Sequence, residues 1–310
     1  MNSPRKINYE LRPAKFTERK MLLASLTSIC RFYNLDYQYI GFGGLSFTDF
    51  KLFHKELHIN KMTSIEGGDL LQKERVEFNR PFSFINLEYG LSTTILTKLN
   101  LSEPSIIWLD YDNALENHMF EDISIIFRKL PAGSIYIFTS NRELKDKNTG
   151  NQYEVESFSK KFGSLIPFDV KNVDFSGTEN YKTIRKMLLG HINSFIDERN
   201  LLNENLKFYQ LFNFLYQENG GAKMYTFGGV IDKKNSNLTD SNINNFEFIE
   251  LGEEPHRINI PNLTIKESEY IDKNFDDEDS IIESRIIEEH DLKKYKQTYK
   301  YLPNYFDVRL

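Results

Sequence analysis

The stretch "LDYQYIGFGGLSFTDF", Leu35 to Phe50, decides the fold. An apolar, aromatic run climbs to Ile40 and breaks into Gly41, Gly43 and Gly44, with helix-compatible sequence behind them. The chain has only 16 glycines in 310 residues, so this cluster asks for a reason. A strand that ends in glycines before a helix lets a ligand approach the backbone, with helix N–H groups pointing at it. At the strand ends of a parallel sheet, that is where nucleotides and nucleosides sit. The spacing departs from the dinucleotide fingerprint G-x-G-x-x-G, because Ser46 stands where the third glycine belongs. No Gly-Lys-Ser/Thr follows, so this is not a phosphate-cradling P-loop.

Working outward, strand-like and helix-like segments alternate. Arg12 to Asn34 reads as a helix, with Pro13 in its first turn and Met21, Leu22, Leu26, Ile29, Phe32 and Tyr33 forming an apolar face. "YQYIGF", "KMTSIE", "FSFINLEYG", "PSIIWLDYD" and "AGSIYIFTSN" read as strands, separated by helical segments. Five β–α steps with short links predict a parallel sheet covered on both faces. Beyond Asn141 the pattern changes. Glu154 to Leu215 reads mostly as helix, and "AKMYTFGGVIDKK" with "NFEFIELG" reads as a late antiparallel strand pair that completes the sheet. The expected organisation is an N-terminal helical segment (1–34), a cofactor-binding core (35–142), a helical insertion (143–222), and C-terminal strands with a tail (223–310).

Composition narrows the function classes. Hydrophobic content of 40%, with 25 Phe and 17 Tyr, fills a substantial core. No apolar run approaches the ~18 residues of a membrane helix, and "MNSPRKINYELRPAK" lacks the apolar stretch of a secretory signal. The single Cys30 excludes an internal disulfide and a cysteine-based zinc cluster. A cytoplasmic protein with no membrane partner is expected. The net charge of −6 supplies no global field that would draw nucleic acid in bulk.

The strand tips carry the chemistry. Glu66 ends the second strand, where a carboxylate accepts hydrogen bonds from both hydroxyls of a ribose. Gly90 ends the third strand, with Ser92 behind it. Asp110 ends the fourth, followed by Asp112 and Asn113, and Ser140-Asn141 ends the fifth. Packing alone does not call for polar groups at the same sheet edge each time.

This order resembles the S-adenosylmethionine-dependent methyltransferases, specifically the small O-methyltransferases of the catechol and caffeoyl-CoA type. It is also similar to a bacterial group described as putative O-methyltransferases, through "LRPAKFTERKML" and "YIGFGGLSFTDF". The resemblance covers roughly residues 36–142. It implies a Rossmann-like, doubly wound, mostly parallel α/β sheet with a C-terminal antiparallel hairpin, and S-adenosyl-L-methionine as cofactor. It gives Gly41, Gly43 and Gly44 to the methionine and ribose end, Glu66 to the ribose hydroxyls, and Gly90 and Ser92 to the adenine side.

The catalytic positions it implies are Asp110 and Asn141, with Asp112 nearby. Metal-dependent members carry a lysine three residues after the strand-four aspartate and an Asp-Asn pair on strand five. Here Asn113 and Ser140 take those places. One carboxylate and an amide hold a hard divalent cation poorly, so no metal is expected.

Arg12, Lys15 and Arg19 are candidates to receive an anionic acceptor, with ordinary helix-surface charge as the alternative. His54 and His58 have i, i+4 spacing but no evident third ligand, and Cys30 sits in an apolar helix. Three functions stay open on the residues. They are a methyltransferase of unknown acceptor, a catalytically degenerate Rossmann-like module that binds a nucleoside or a protein partner (a second copy included), and an NAD-type oxidoreductase. The missing third glycine and the lack of a proton relay disfavour the last.

Overall fold

The computed structural model describes residues 12–67, 73–147, 149–218 and 221–303, and every candidate site residue lies among them. Along the chain run α1 (Pro13–Tyr33), β1 (Gln38–Gly41), α2 (Thr48–Leu57), β2 (Lys61–Glu66), α3 (Lys73–Asn79), β3 (Ile85–Tyr89) and α4 (Ser92–Lys98). β4 (Ser105–Ala114), α5 (Asn117–Phe127), β5 (Ile135–Asn141), α6 (Val155–Phe162) and α7 (Asn180–Asn200) follow. The remainder comprises β6 (Leu206–Gln217), β7 (Lys223–Lys233), β8 (His256–Ile258), α8 (Ile265–Lys273), α9 (Glu278–Glu283) and α10 (Glu289–Thr298).

The strands form one sheet in the order β3-β2-β1-β4-β5-β7-β6-β8. β1 to β5 are parallel to one another, and β7 is antiparallel to both β5 and β6. The order reverses at β1, between β2 and β4, which places a crevice at the carboxyl ends of those strands. Apolar cores cover both faces. Side chains of α4, α5, α6 and α7 pack on one face, those of α1 and α2 on the other. A small third cluster holds α8 to α10 together through Ile271, Ile281, Ile287, Leu292 and Tyr295.

The parallel half, its helices and the doubly wound class follow the sequence reading. The second half departs from it in two places. Residues up to Leu215, read as helix, end in the twelve-residue strand β6, and "NFEFIELG" forms no strand, so β6 and β7 make the expected hairpin. β6 is buried on both faces along most of its length, so its apolar residues run nearly continuously. Such a run carries neither the alternation of a half-exposed strand nor a clear helical period. A bulge between Gln210 and Phe212 breaks the two-residue repeat further. Opposite that bulge lie Gly228 and Gly229, where neighbouring backbone leaves no room for a side chain.

α1 is anchored by polar contacts unusual for a surface helix. Pro13 occupies its first turn, and Arg12 supplies no side-chain cap. Glu218, just past β6, takes that role instead: its carboxylate accepts the Lys15 amide at 2.9 Å and the Ala14 amide at 3.4 Å. Arg19 is 4% exposed and donates to Asp49 of α2 from Nε at 2.6 Å and from its other nitrogen at 3.4 Å. Arg19→Ala leaves a buried carboxylate without its cation, and is expected to lower unfolding stability by about 3–5 kcal/mol in urea titrations. A loss below about 1 kcal/mol would show that the pair is hydrated.

Candidate functional site

A cavity of about 460 Å³ opens at the carboxyl ends of β1 to β4. Among the residues lining it are Gly44, Glu66, Gly90, Ser92, Asp110 and Asp112. The structure therefore brings together six of the side chains or glycines picked out along separate strand tips.

Glu66 is 3% exposed at the end of β2. The Ser64 hydroxyl donates to it at 2.6 Å, and the backbone amides of Gly43 and Gly44 also point at its carboxylate. Burial outweighs these donors and pushes its carboxyl up to about 7. The three glycines of the first loop have different duties. Gly44 has φ +57° with open space where a side chain would be, so it presents backbone to the cavity. Gly41 and Gly43 do not line the cavity. A Cβ on Gly41 would lie 2.5 Å from the Tyr39 hydroxyl, and one on Gly43 would lie 2.5 Å from both the Phe47 ring and Ser64 Oγ. Their smallness is required by packing.

β4 bulges at the cavity. Asp110 pairs with Thr139 and Ala114 with Asn141, so the segment 111–113 carries two residues more than β5 opposite it. This bulge places Tyr111, Asp112 and Asn113 at the cavity wall beside Asp110, although strict alternation along an extended strand would have separated Asp110 from its neighbours. Asn141 is not among the lining residues. Its side-chain oxygen accepts the Glu143 amide at 2.9 Å, and Ser140 is buried.

The basic residues of α1 lie elsewhere. Arg12 is 3.7 Å from Glu218, Arg19 is paired with Asp49, and Lys15 is fully buried beside Glu18 and Asp110. None of the three lines the cavity.

Asp122 of α5 escaped the sequence reading. Its Oδ2 accepts hydrogen bonds from Ser92 at 2.6 Å and from the Tyr111 hydroxyl at 2.7 Å, and burial raises its carboxyl above the usual range. It ties the start of α4 to the β4 bulge, with Phe42 and His118 packed edge-on against Tyr111. The available signal was a carboxylate on the apolar face of α5, beside Met119, Ile123 and Ile126. Among the described residues no group of three or more His, Cys, Asp or Glu is placed to hold a metal. No helix among them is long and apolar enough to cross a membrane.

Residues 7–310 match the family described as "Putative O-methyltransferase". No curated protein matches the chain. Solved structures that overlap it include an O-methyltransferase from Bacillus cereus in complex with SAH, at 11% identity and TM-score 0.38, covering 70% of this chain and 81% of that one. A putative O-methyltransferase from Klebsiella pneumoniae overlaps at 14% identity and TM-score 0.36, covering 69% and 80%. A spermidine synthase from Thermotoga maritima overlaps at 12% identity and TM-score 0.39, covering 78% and 68%. These overlaps are too loose to carry a residue's role across.

Proposed function

The chain belongs to the putative O-methyltransferase family, and from that membership we propose that it moves a methyl group from S-adenosyl-L-methionine to an acceptor held at the carboxyl ends of β1 to β4. The observation that supports this reading most is Glu66, fixed at the tip of β2 by Ser64 and facing a cavity whose far wall carries Asp110. The residues present suit the cofactor. A volume of 460 Å³ falls among small-molecule sites, which run about 300–1,000 Å³. In this reading Glu66 accepts the ribose hydroxyls, and Gly44 lets the chain pass close to the methionine end. Gly90 and the exposed Leu91 offer a backbone edge and an apolar surface to the adenine.

S-adenosyl-L-methionine supplies an activated methyl on a good leaving group. The protein's share is then to hold the acceptor in line and to take its proton. Asp110 is the carboxylate positioned for that at the cavity wall. The resemblance's remaining metal-site positions are unsuited to a cation here: Ser140 is buried, and the Asn141 oxygen is engaged by Glu143. We therefore expect metal-independent transfer. Turnover should persist in EDTA, and complete loss with rescue by Mg²⁺ would overturn that part of the reading.

Calorimetry with S-adenosylmethionine, S-adenosylhomocysteine and NAD tests the whole proposal. Binding of the two sulfur ligands without NAD is the expected result. Failure to bind either one sinks it.

A further inference from the structure

Lys15 reaches under the cavity from α1. Its side chain is fully buried, with the ammonium 2.7 Å from Glu18 Oε2 and 2.8 Å from Asp110 Oδ2. It also lies 4.5 Å from the ring centroid of Trp108 and 5.7 Å from that of Tyr216. Both contacts are close ion pairs inside the fold. Glu18 is fully buried too, and Thr226 of β7 donates to its other oxygen. Thr226 and Thr139 of β5 share a hydrogen bond of 2.8 Å, and the Trp108 indole donates to Thr139 at 3.0 Å. Of the three charged groups only Asp110 reaches the cavity, its side chain being 12% exposed against none for the others.

Lys15 and Glu18 are out of contact with water, and the ammonium offsets part of the cost of burying the carboxylates beside it. We propose that Lys15 and Glu18 form a buried positioning unit for Asp110: the ammonium, shared between the two carboxylates, fixes Asp110 at the cavity wall, where it takes the proton of the methyl acceptor. The acceptor's proton goes to Asp110 while the acceptor's electron pair forms the bond to the methyl carbon, and the pair of the breaking S–C bond stays with sulfur. Asp110 then gives that proton up to water on its cavity side, where its side chain is 12% exposed, and the ammonium holds its carboxylate for the next turnover.

Asp110 is the catalytic residue of this scheme, and Lys15 and Glu18 are positioning residues that act through it. Burial raises the Glu18 carboxyl, while the adjoining Lys15 ammonium pulls it down and the Asp110 charge adds to the rise. The other polar groups around the unit are Tyr39 of β1, Tyr216 of β6, the Arg19–Asp49 pair, and Glu218 at the first amides of α1. The source of the proton rests on the methyl-transfer reading, whereas the sharing of the ammonium does not.

Carboxyl-labelled Asp and Glu in the full chain, followed by NMR from pH 5 to 9, test the unit without any acceptor. The Glu18 resonance is expected to report the charge on both of its neighbours. Asp110→Asn should lower the Glu18 midpoint by about one pH unit or more, because a like charge is removed. Lys15→Gln should move it upward. A Glu18 midpoint unmoved by Asp110→Asn overturns the unit whether or not the protein binds S-adenosylhomocysteine. Absence of that binding with a shifting Glu18 midpoint rejects the methyl-transfer reading and supports the shared ammonium.

Discussion

Glu66→Gln is expected to weaken S-adenosylhomocysteine binding by roughly 10- to 100-fold while making the ligand-free protein more stable at pH 8. The first effect follows from losing a charged acceptor for two hydroxyls, about 1.5–3 kcal/mol. The second follows from burial. In the unfolded chain the carboxyl ionises near its ordinary 4.5, but in the folded protein only near 7. Its folded-state pKa is raised, so its contribution is fully present below about 4.5 and is lost as pH rises through 7. The difference amounts to on the order of 3 kcal/mol. Urea titrations at pH 5 and 8 should show the wild type losing stability over that window and the glutamine variant losing much less. Equal slopes in both proteins would mean that Glu66 does not titrate there, and unchanged ligand affinity would mean that the ribose lies elsewhere.

Gly229→Ala should produce the largest loss of stability of any glycine-to-alanine change among the described residues. The new Cβ would overlap the carbonyl oxygen of Tyr209, and backbone cannot swing aside as a side chain does. Either β6 and β7 separate at the bulge or both strands shift, at a cost of about 3 kcal/mol or more. The expected fall in melting temperature is roughly 5–10 °C. Gly252→Ala is the control, because nothing lies within 4 Å of its Cβ, and it should change stability by less than about 0.5 kcal/mol. Similar melting points for the two variants would refute the reading of the bulge.

Much of the parallel half was legible because its signals are local. Each short apolar run carries its glycines or its acid within a few residues of its own end, and the repeated strand–helix step brings those ends to one edge of the sheet. Gly44, Glu66, Gly90, Ser92 and Asp110 meet at the cavity in this way, whereas Asp112 arrives through the β4 bulge. What failed to show was set by partners distant in sequence. Gly43 has the look of a ligand-contacting glycine, yet Phe47 and Ser64 dictate its size. Lys15 and Arg19 look like surface charges on a basic helix, and only the fold reveals the carboxylates that accompany them inside. Asp122 matters through Ser92 and Tyr111, which no periodicity could connect to it. β6 was obscured by its own thorough burial.

The anchoring of α1 also imposes an order on how the chain is made. Glu218 accepts the Lys15 amide across 203 positions, and Thr226 reaches Glu18 across 208. At synthesis rates of ~5–20 residues per second, roughly 10–40 s separate the emergence of α1 from that of its partners. Once Asn141 is out, β1 to β5 have what they need to pair, whereas α1 still carries an uncapped first turn and a Glu18 that lacks its hydroxyl donor. Closing so long a loop is slow relative to local pairing. The seating of α1 is therefore completed only after β6 and β7 have emerged. Damage to the late hairpin will register in the nascent chain as an undocked amino-terminal helix, open to proteases and chaperones, before any sheet strand comes apart.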